Sequence, residues 1–131
     1  MKHLLLTTIA AVLLATTTFA GPIHLAARNG DIEAVKQHLA AGADVNATHG
    51  GWTPLHYSAS AGHKEVAKLL IAAGADVNTK DGDGNTSLDW AETVIEFRSL
   101  GDNVKAAKKE IADLFRKHGG KTGEELKAAG N

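Results

Sequence analysis

From Pro22 onward the chain alternates short runs of helical apolar spacing with glycine-punctuated polar turns. In PLHYSASAG, Pro54 to Gly62, Leu55 and Ala59 are apolar at i and i+4, the small residues Ser58 and Ala59 permit close helix approach, and Gly62 supplies a left-handed residue. Thr53 suits an N-cap, and Pro54 suits the first helical position, where no amide donor is needed. A short helix is therefore expected there. A second is expected over about Lys64 to Ala73, with Val66, Ala67, Leu69, Leu70 and Ile71 apolar, until Gly74 stops it. GADVN then reverses the chain.

The same unit recurs. PIHLAARNGDIEAVKQHLAAGADVN, from Pro22, lies over PLHYSASAGHKEVAKLLIAAGADVN, from Pro54, at a shift of 32, and TPLHYSASAG lies over TSLDWAETVI, from Thr86, at a shift of 33. A period of this size signals stacked units that bury their faces against one another.

On these residues the chain resembles the ankyrin repeat: TPLH at Thr53 to His56, GHKEVAKLL at Gly62 to Leu70, and GADVN at Gly42 to Asn46 and again at Gly74 to Asn78. The resemblance implies an all-α solenoid of helix-turn-helix-loop units, with paired antiparallel helices and a loop projecting from one edge. About three repeats are expected, near 21–50, 51–83 and 84–122, within one domain, 21–131. It also implies that Thr53 and His56 hydrogen-bond to each other. His24 matches the same histidine, but Gly21 stands in place of its threonine.

Both ends of the array depart from the pattern. Gln37 and His38 occupy the places of Leu69 and Leu70, so the first unit is more polar where it has no outer neighbour. Its first helix has little room for an N-cap and is expected to fray. With GADV matched to Gly119–Thr122, the third unit is longer by about a dozen residues. Val94, Ile95, Phe97 and Leu100 are expected to extend its first helix, Gly101 to break it, and Asp102 or Asn103 to cap the next, giving a helical insert near 93–104. In that next helix Val104, Ala107, Ile111, Leu114, Phe115 and His118 keep helical spacing. Thr122 and Glu125 form a capping box, so a short last helix over 123–129 is expected.

The first twenty residues differ in kind. Lys2 is followed by an apolar run from Leu4 to Ala15, and Thr18-Phe19-Ala20 resembles a small-residue cleavage site, the pattern of a secretory signal peptide, 1–20. An apolar core of about a dozen residues is shorter than the ~20 that span a bilayer. A periplasmic or secreted product cleaved near Ala20, with no stable membrane span, is the expectation. Lys2 is the only charge removed with that segment, so the net charge goes from -1 to -2. No basic excess is left to hold nucleic acid. There is no cysteine for a disulfide or for lipid attachment.

Candidate chemistry is sparse. His38, His49 and His118 have no zinc-like spacing, His24 and His56 sit at the structural place of the repeat, and His63 lies at the turn between helices. GGKTG, Gly119 to Gly123, lacks the first glycine of a phosphate loop, where Phe115 stands, and it follows a helix. DGDGNTSLDWAE, Asp81 to Glu92, places oxygen side chains almost as a calcium-binding EF-hand loop does. However, Thr86 holds the position where glycine makes the sharp turn. Asp81, Asp83, Asn85 and Glu92 are the ligands that reading would use.

The expectation is therefore a non-catalytic protein–protein interaction module, adaptor or inhibitor, monomeric and without cofactor. A calcium-dependent binder and a small hydrolase are the alternatives. The resemblance places the contact positions at Arg28, Asn29, His49, Gly50, Trp52, Ser60, Ala61, Gly82, Asp83, Asn85 and Thr93. A large aromatic such as Trp52 on a loop is either a binding anchor or packed on Tyr57. Tyr57 and Trp90 share a helix place with Leu25 and are expected to pack between repeats.

Overall fold

The computed structural model describes residues 22–93 and 101–130. Among them the chain forms α1 (Pro22–Asn29), α2 (Ile32–Ala40), α3 (Pro54–Ala61), α4 (Lys64–Ala72), α5 (Ser87–Thr93), α6 (Asp102–Lys117) and α7 (Gly123–Ala128). No strand forms among the described residues. Helices α1, α3 and α5 pack side by side, each paired with the helix that follows it, while α2, α4 and α6 form the second row.

Local chemistry sets each helix. Thr53 Oγ1 accepts the His56 N–H (3.4 Å), and the Thr53 N–H donates to His56 Nδ1 (3.2 Å), which closes a reciprocal cap over Pro54. At the other end Gly62 has φ 80°, and the His63 N–H reaches the Ser58 carbonyl at 2.9 Å. Ala26, Ser58 and Ala91, equivalent in the three units, are buried and small enough to let the first helices approach; Ile23, Leu55 and Leu88 fill the layer beside them.

Polar side chains stitch unit to unit. Asn46 accepts the Asp76 N–H (2.8 Å) and reaches the Gly74 carbonyl (3.4 Å), and Asn78 makes the same clamp on Lys121 N–H (2.8 Å) and Gly119 carbonyl (3.2 Å). His24 Nε2 donates to the Ala47 carbonyl (2.7 Å) and His56 Nε2 to the Asn85 carbonyl (3.2 Å). In the third unit Asp89 stands where the histidine was: its carboxylate accepts the Thr86 N–H (2.8 Å) as His56 Nδ1 accepts that of Thr53, but the bond to the next segment reverses, the carboxylate accepting the Gly123 N–H (2.7 Å). A carboxylate is acceptor only, so it needs an amide where imidazole needed a carbonyl. That amide comes from α7, whose backbone runs so close to Gly84 that a Cβ on Gly123 would collide with the Gly84 carbonyl.

The third pair departs from the expectation in detail. The segment carrying Val94, Ile95, Phe97 and Leu100 lies outside the described residues. Gly101 holds the N-cap place of α6 without a side-chain cap, and Asp102 is its first residue, so neither Asp102 nor Asn103 is the cap. Ile111 and Phe115 are buried, whereas His118 is exposed, and Lys108 and Ala112, outside the expected stripe, are buried as well. The cause is contact from three sides: α6 meets α5, α4 and α3, so its buried arc is rotated and wide. Lys64 on α4 and Glu110 on α6 pair across the surface.

Burial pushes the His56 imidazole below its usual value, against the opposing pull of the Asn85 carbonyl and of Asp81 and Asp89. The folded state therefore binds its proton less readily than the unfolded chain. Stability present above about pH 6.5 should fall as pH drops through the folded value, because a protonated Nδ1 would face the Thr53 N–H. His56→Gln should flatten the loss of melting temperature between pH 7 and pH 5. An undiminished acid slope in that variant would show that the destabilising proton binds elsewhere.

Candidate interaction face

The loop before α3 is a two-residue hairpin. His49 and Trp52 exchange backbone bonds of 2.9 and 3.1 Å around Gly50 (φ 60°) and Gly51 (φ 84°), the positive-φ pair that such a turn demands. This places Trp52 against α3 and α5. Its ring centroid lies 5.1 Å from Tyr57 and 4.6 Å from Trp90, and Tyr57 in turn meets His24 edge-on at 5.8 Å. All three large rings are half-buried. Leu25, in the same helix place as Tyr57 and Trp90, is 56% exposed and is the one large exposed hydrophobic among the described residues.

The undersides of these rings are fixed. The Tyr57 hydroxyl donates to the His49 carbonyl (3.3 Å), and the Trp90 indole N–H donates to Asp81 Oδ2 (2.8 Å). Asp81 Oδ1 accepts the N–H groups of Asp83 (2.9 Å) and Asn85 (3.0 Å), curling the third loop around itself. Burial raises the Asp81 carboxyl, but the bonds from Trp90, Asn85 and Asp83 outweigh it and hold it below the usual carboxylate range.

The positions expected for contact fall into separate places. His49, Gly50 and Trp52 gather at the hairpin tip, with Gly51 approaching the backbone of Gly82. Arg28 and Asn29 are exposed at the end of α1, and the Arg28 carbonyl accepts from His63 Nε2 at 3.0 Å. Ser60 and Ala61 are half-buried on α3, and the Thr93 hydroxyl turns back onto the Asp89 carbonyl. Asp83 and Asn85 instead line a polar cleft of about 230 Å³ against α7, opposite Glu124 and Lys127. Of the ligands a calcium reading would use, Asp81 is engaged by three N–H donors and Glu92 faces Arg116 at 3.4 Å. Among the described residues no group of three or more His, Asp or Glu side chains is placed to hold a metal ion.

Tyr57 and Trp90, expected from the sequence to pack between repeats, both also meet Trp52. The signal available was their shared register at 25, 57 and 90, where one unit carries leucine and two carry aromatics.

Three helix pairs, joined by projecting turns and stitched by repeated side-chain clamps, define a short α-helical repeat stack with its aromatic positions on one face. A family model of ankyrin repeats, in three copies, matches residues 22–96, more than half of the chain, and the protein belongs to the ankyrin repeat family. No curated protein matches the chain. Ankyrin repeats are in general non-enzymatic protein–protein interaction modules. No helix among the described residues is long and apolar enough to cross a membrane.

Proposed function

We propose that this chain is an exported, monomeric adaptor or inhibitor that holds one protein partner through the hairpin tips and the face of its first helices. The observation that carries the reading is the ring cluster of Trp52, Tyr57 and Trp90 beside exposed Leu25. Tyr57 and Trp90 are held from below by their own hydrogen bonds and Trp52 is packed between them, so little side-chain freedom is left to lose on binding. Buried aromatic anchors of this kind carry much of the energy of an interface. Export is supported by the charged start, apolar run and small-residue end of the first twenty residues, and by a composition with no thiol to oxidise.

Capture of partners from envelope extract or culture fluid on the immobilised chain, followed by titration of the identified partner, tests this. Trp52→Ala should weaken binding by about tenfold, near 1.4 kcal/mol. Leu25→Asp should also weaken binding, yet shift unfolding by no more than ~0.5 kcal/mol, because the side chain is exposed. Unchanged capture by both variants would place the contact surface elsewhere on the stack.

A further inference from the structure

We propose that Asn29 is a site of spontaneous covalent modification, losing its side-chain amide through a succinimide, and that His63 of the second unit restrains the reaction. The Gly30 nitrogen attacks the Asn29 side-chain carbonyl carbon, the new C–N bond closes the ring, and the amide leaves as ammonia carrying the Gly30 proton. Water then opens the ring. Cleavage at the side-chain carbonyl gives aspartate, and cleavage at the backbone carbonyl gives isoaspartate. Backbone and water supply every atom, and the inference does not depend on a partner.

Among the described residues a single asparagine meets the needs of this chemistry. Asn29 is exposed at the end of α1, and its carboxamide makes no hydrogen bond among the described residues. Gly30 follows it, with no Cβ to crowd the attacking nitrogen. The other asparagines fail on one count or both. Asn46 and Asn78 have their amides clamped between repeats, and they precede Ala47 and Thr79. Asn85 precedes Thr86, whose N–H is held by the Asp89 carboxylate at 2.8 Å. Asn103 lies within α6 and precedes Val104, whose branched Cβ crowds the nitrogen.

The fold also supplies a brake. Asn29 is the last residue of α1, and a helical backbone turns the Gly30 nitrogen away from the carboxamide, so attack waits for this turn to open. Two contacts hold it shut. The Asp31 N–H reaches back to the Ala26 carbonyl (3.0 Å), and His63 Nε2 donates to the Arg28 carbonyl (3.0 Å). The same imidazole lies over Gly30, within 2.7 Å of where a Cβ would stand. His63 comes from the neighbouring unit, so stacking protects Asn29. Once formed, the product sets a carboxylate at the C-terminal end of α1, where the helix dipole disfavours negative charge, and isoaspartate lengthens the backbone there by a methylene.

Incubation of the purified protein in warm, mildly alkaline buffer, with peptide mapping by mass spectrometry at intervals, tests the inference. Conversion of amide to acid, with aspartate and isoaspartate as separate peaks, is expected at Asn29 ahead of every other asparagine. The same incubation in urea gives the unrestrained rate, which should exceed that of the folded protein. His63→Ala should speed the folded reaction about fivefold or more, because the turn opens more often. Leu126→Ala, which loosens the opposite end of the stack, should leave the rate at Asn29 unchanged. Conversion that starts at another asparagine, or an Asn29 that stays intact while the unfolded chain reacts to completion, overturns the site. A parental rate in His63→Ala, or equal acceleration by Leu126→Ala, overturns the restraint.

Discussion

Phe115→Ala should unfold the entire stack in one step rather than loosen its last helix. Phe115 is 0% exposed on α6, which packs against α5, α4 and α3 at once. Truncating a buried phenylalanine costs about 3–5 kcal/mol in lost burial and residual cavity. A domain of this size has ~5–15 kcal/mol in all, and a stack of about three units is near the minimum that folds. Its stability is a sum of neighbour interfaces, so the end that α6 closes cannot be lost while the rest persists. The melting temperature should drop by roughly 15 °C or more. Helical circular dichroism and tryptophan fluorescence should fall together. Two separated transitions, with the α1 to α4 helices outlasting the Trp90 environment, would show that the units are not coupled in this way.

Leu126→Ala on α7 is the contrasting case. That helix is anchored by one buried leucine and by polar bonds: Arg116 to Glu125 (2.6 Å), Gly123 to Asp89 (2.7 Å) and the Thr86 hydroxyl to the Lys121 carbonyl (2.7 Å). Elements with few buried apolar contacts open below the global unfolding free energy. Amides of α7 should exchange faster in the variant while the melting temperature moves much less than in Phe115→Ala. Equal losses in the two variants would make α7 part of the cooperative core.

The repeat architecture is legible because its determinants are local. Thr53 with His56, Gly62 with φ 80°, and Thr122 with Glu125 each act within one turn, and a sequence displays such pairs at fixed offsets. The stacking is legible for a related reason: a period of 32 or 33 brings chemically similar residues into register, as Ala26, Ser58 and Ala91 show. What stays hidden depends on partners that periodicity cannot supply. Asp81 looks like a metal ligand from its spacing, yet its oxygens are spent on Asp83, Asn85 and the indole of Trp90 nine residues away. Asp89 looks like a lost histidine until Gly123, 34 residues on, is seen to supply the amide that a carboxylate requires. The ring cluster is half visible in the sequence: Trp52 is an unusual loop residue there, but that it leans on two rings from adjacent repeats follows only from the hairpin that aims it.

Lys108→Met should stabilise the protein at neutral pH, and the gain should vanish in alkali. Lys108 is 1% exposed, on the buried side of α6, where a stripe read from the sequence would not put a cation. Its ammonium donates to the Trp90 carbonyl at 3.3 Å, and burial pushes it down to about 8 from an ordinary 10.5. That lowering corresponds to roughly 3 kcal/mol carried against folding at pH 7. Below pH 8 both states are protonated and the cost is constant. Between about 8 and 10.5 the unfolded chain holds the extra proton, so stability contributed at this site rises with pH. Methionine fills a similar volume without the charge but forfeits the bond to Trp90, so a net gain of about 1–3 kcal/mol is expected at pH 7, shrinking to zero or below near pH 10. Urea unfolding of both proteins at several pH values measures this as a difference, which removes the titration of the other lysines. A variant less stable than the parent at pH 7, or a difference independent of pH, would mean that the ammonium is better solvated than its burial implies. The lysine has a counterweight to its cost: its Nζ grips the last turn of α5, the seven-residue helix that carries Trp90. The more stable variant should therefore hold the Trp90 ring less firmly and bind through the ring cluster more weakly, exchanging recognition for stability.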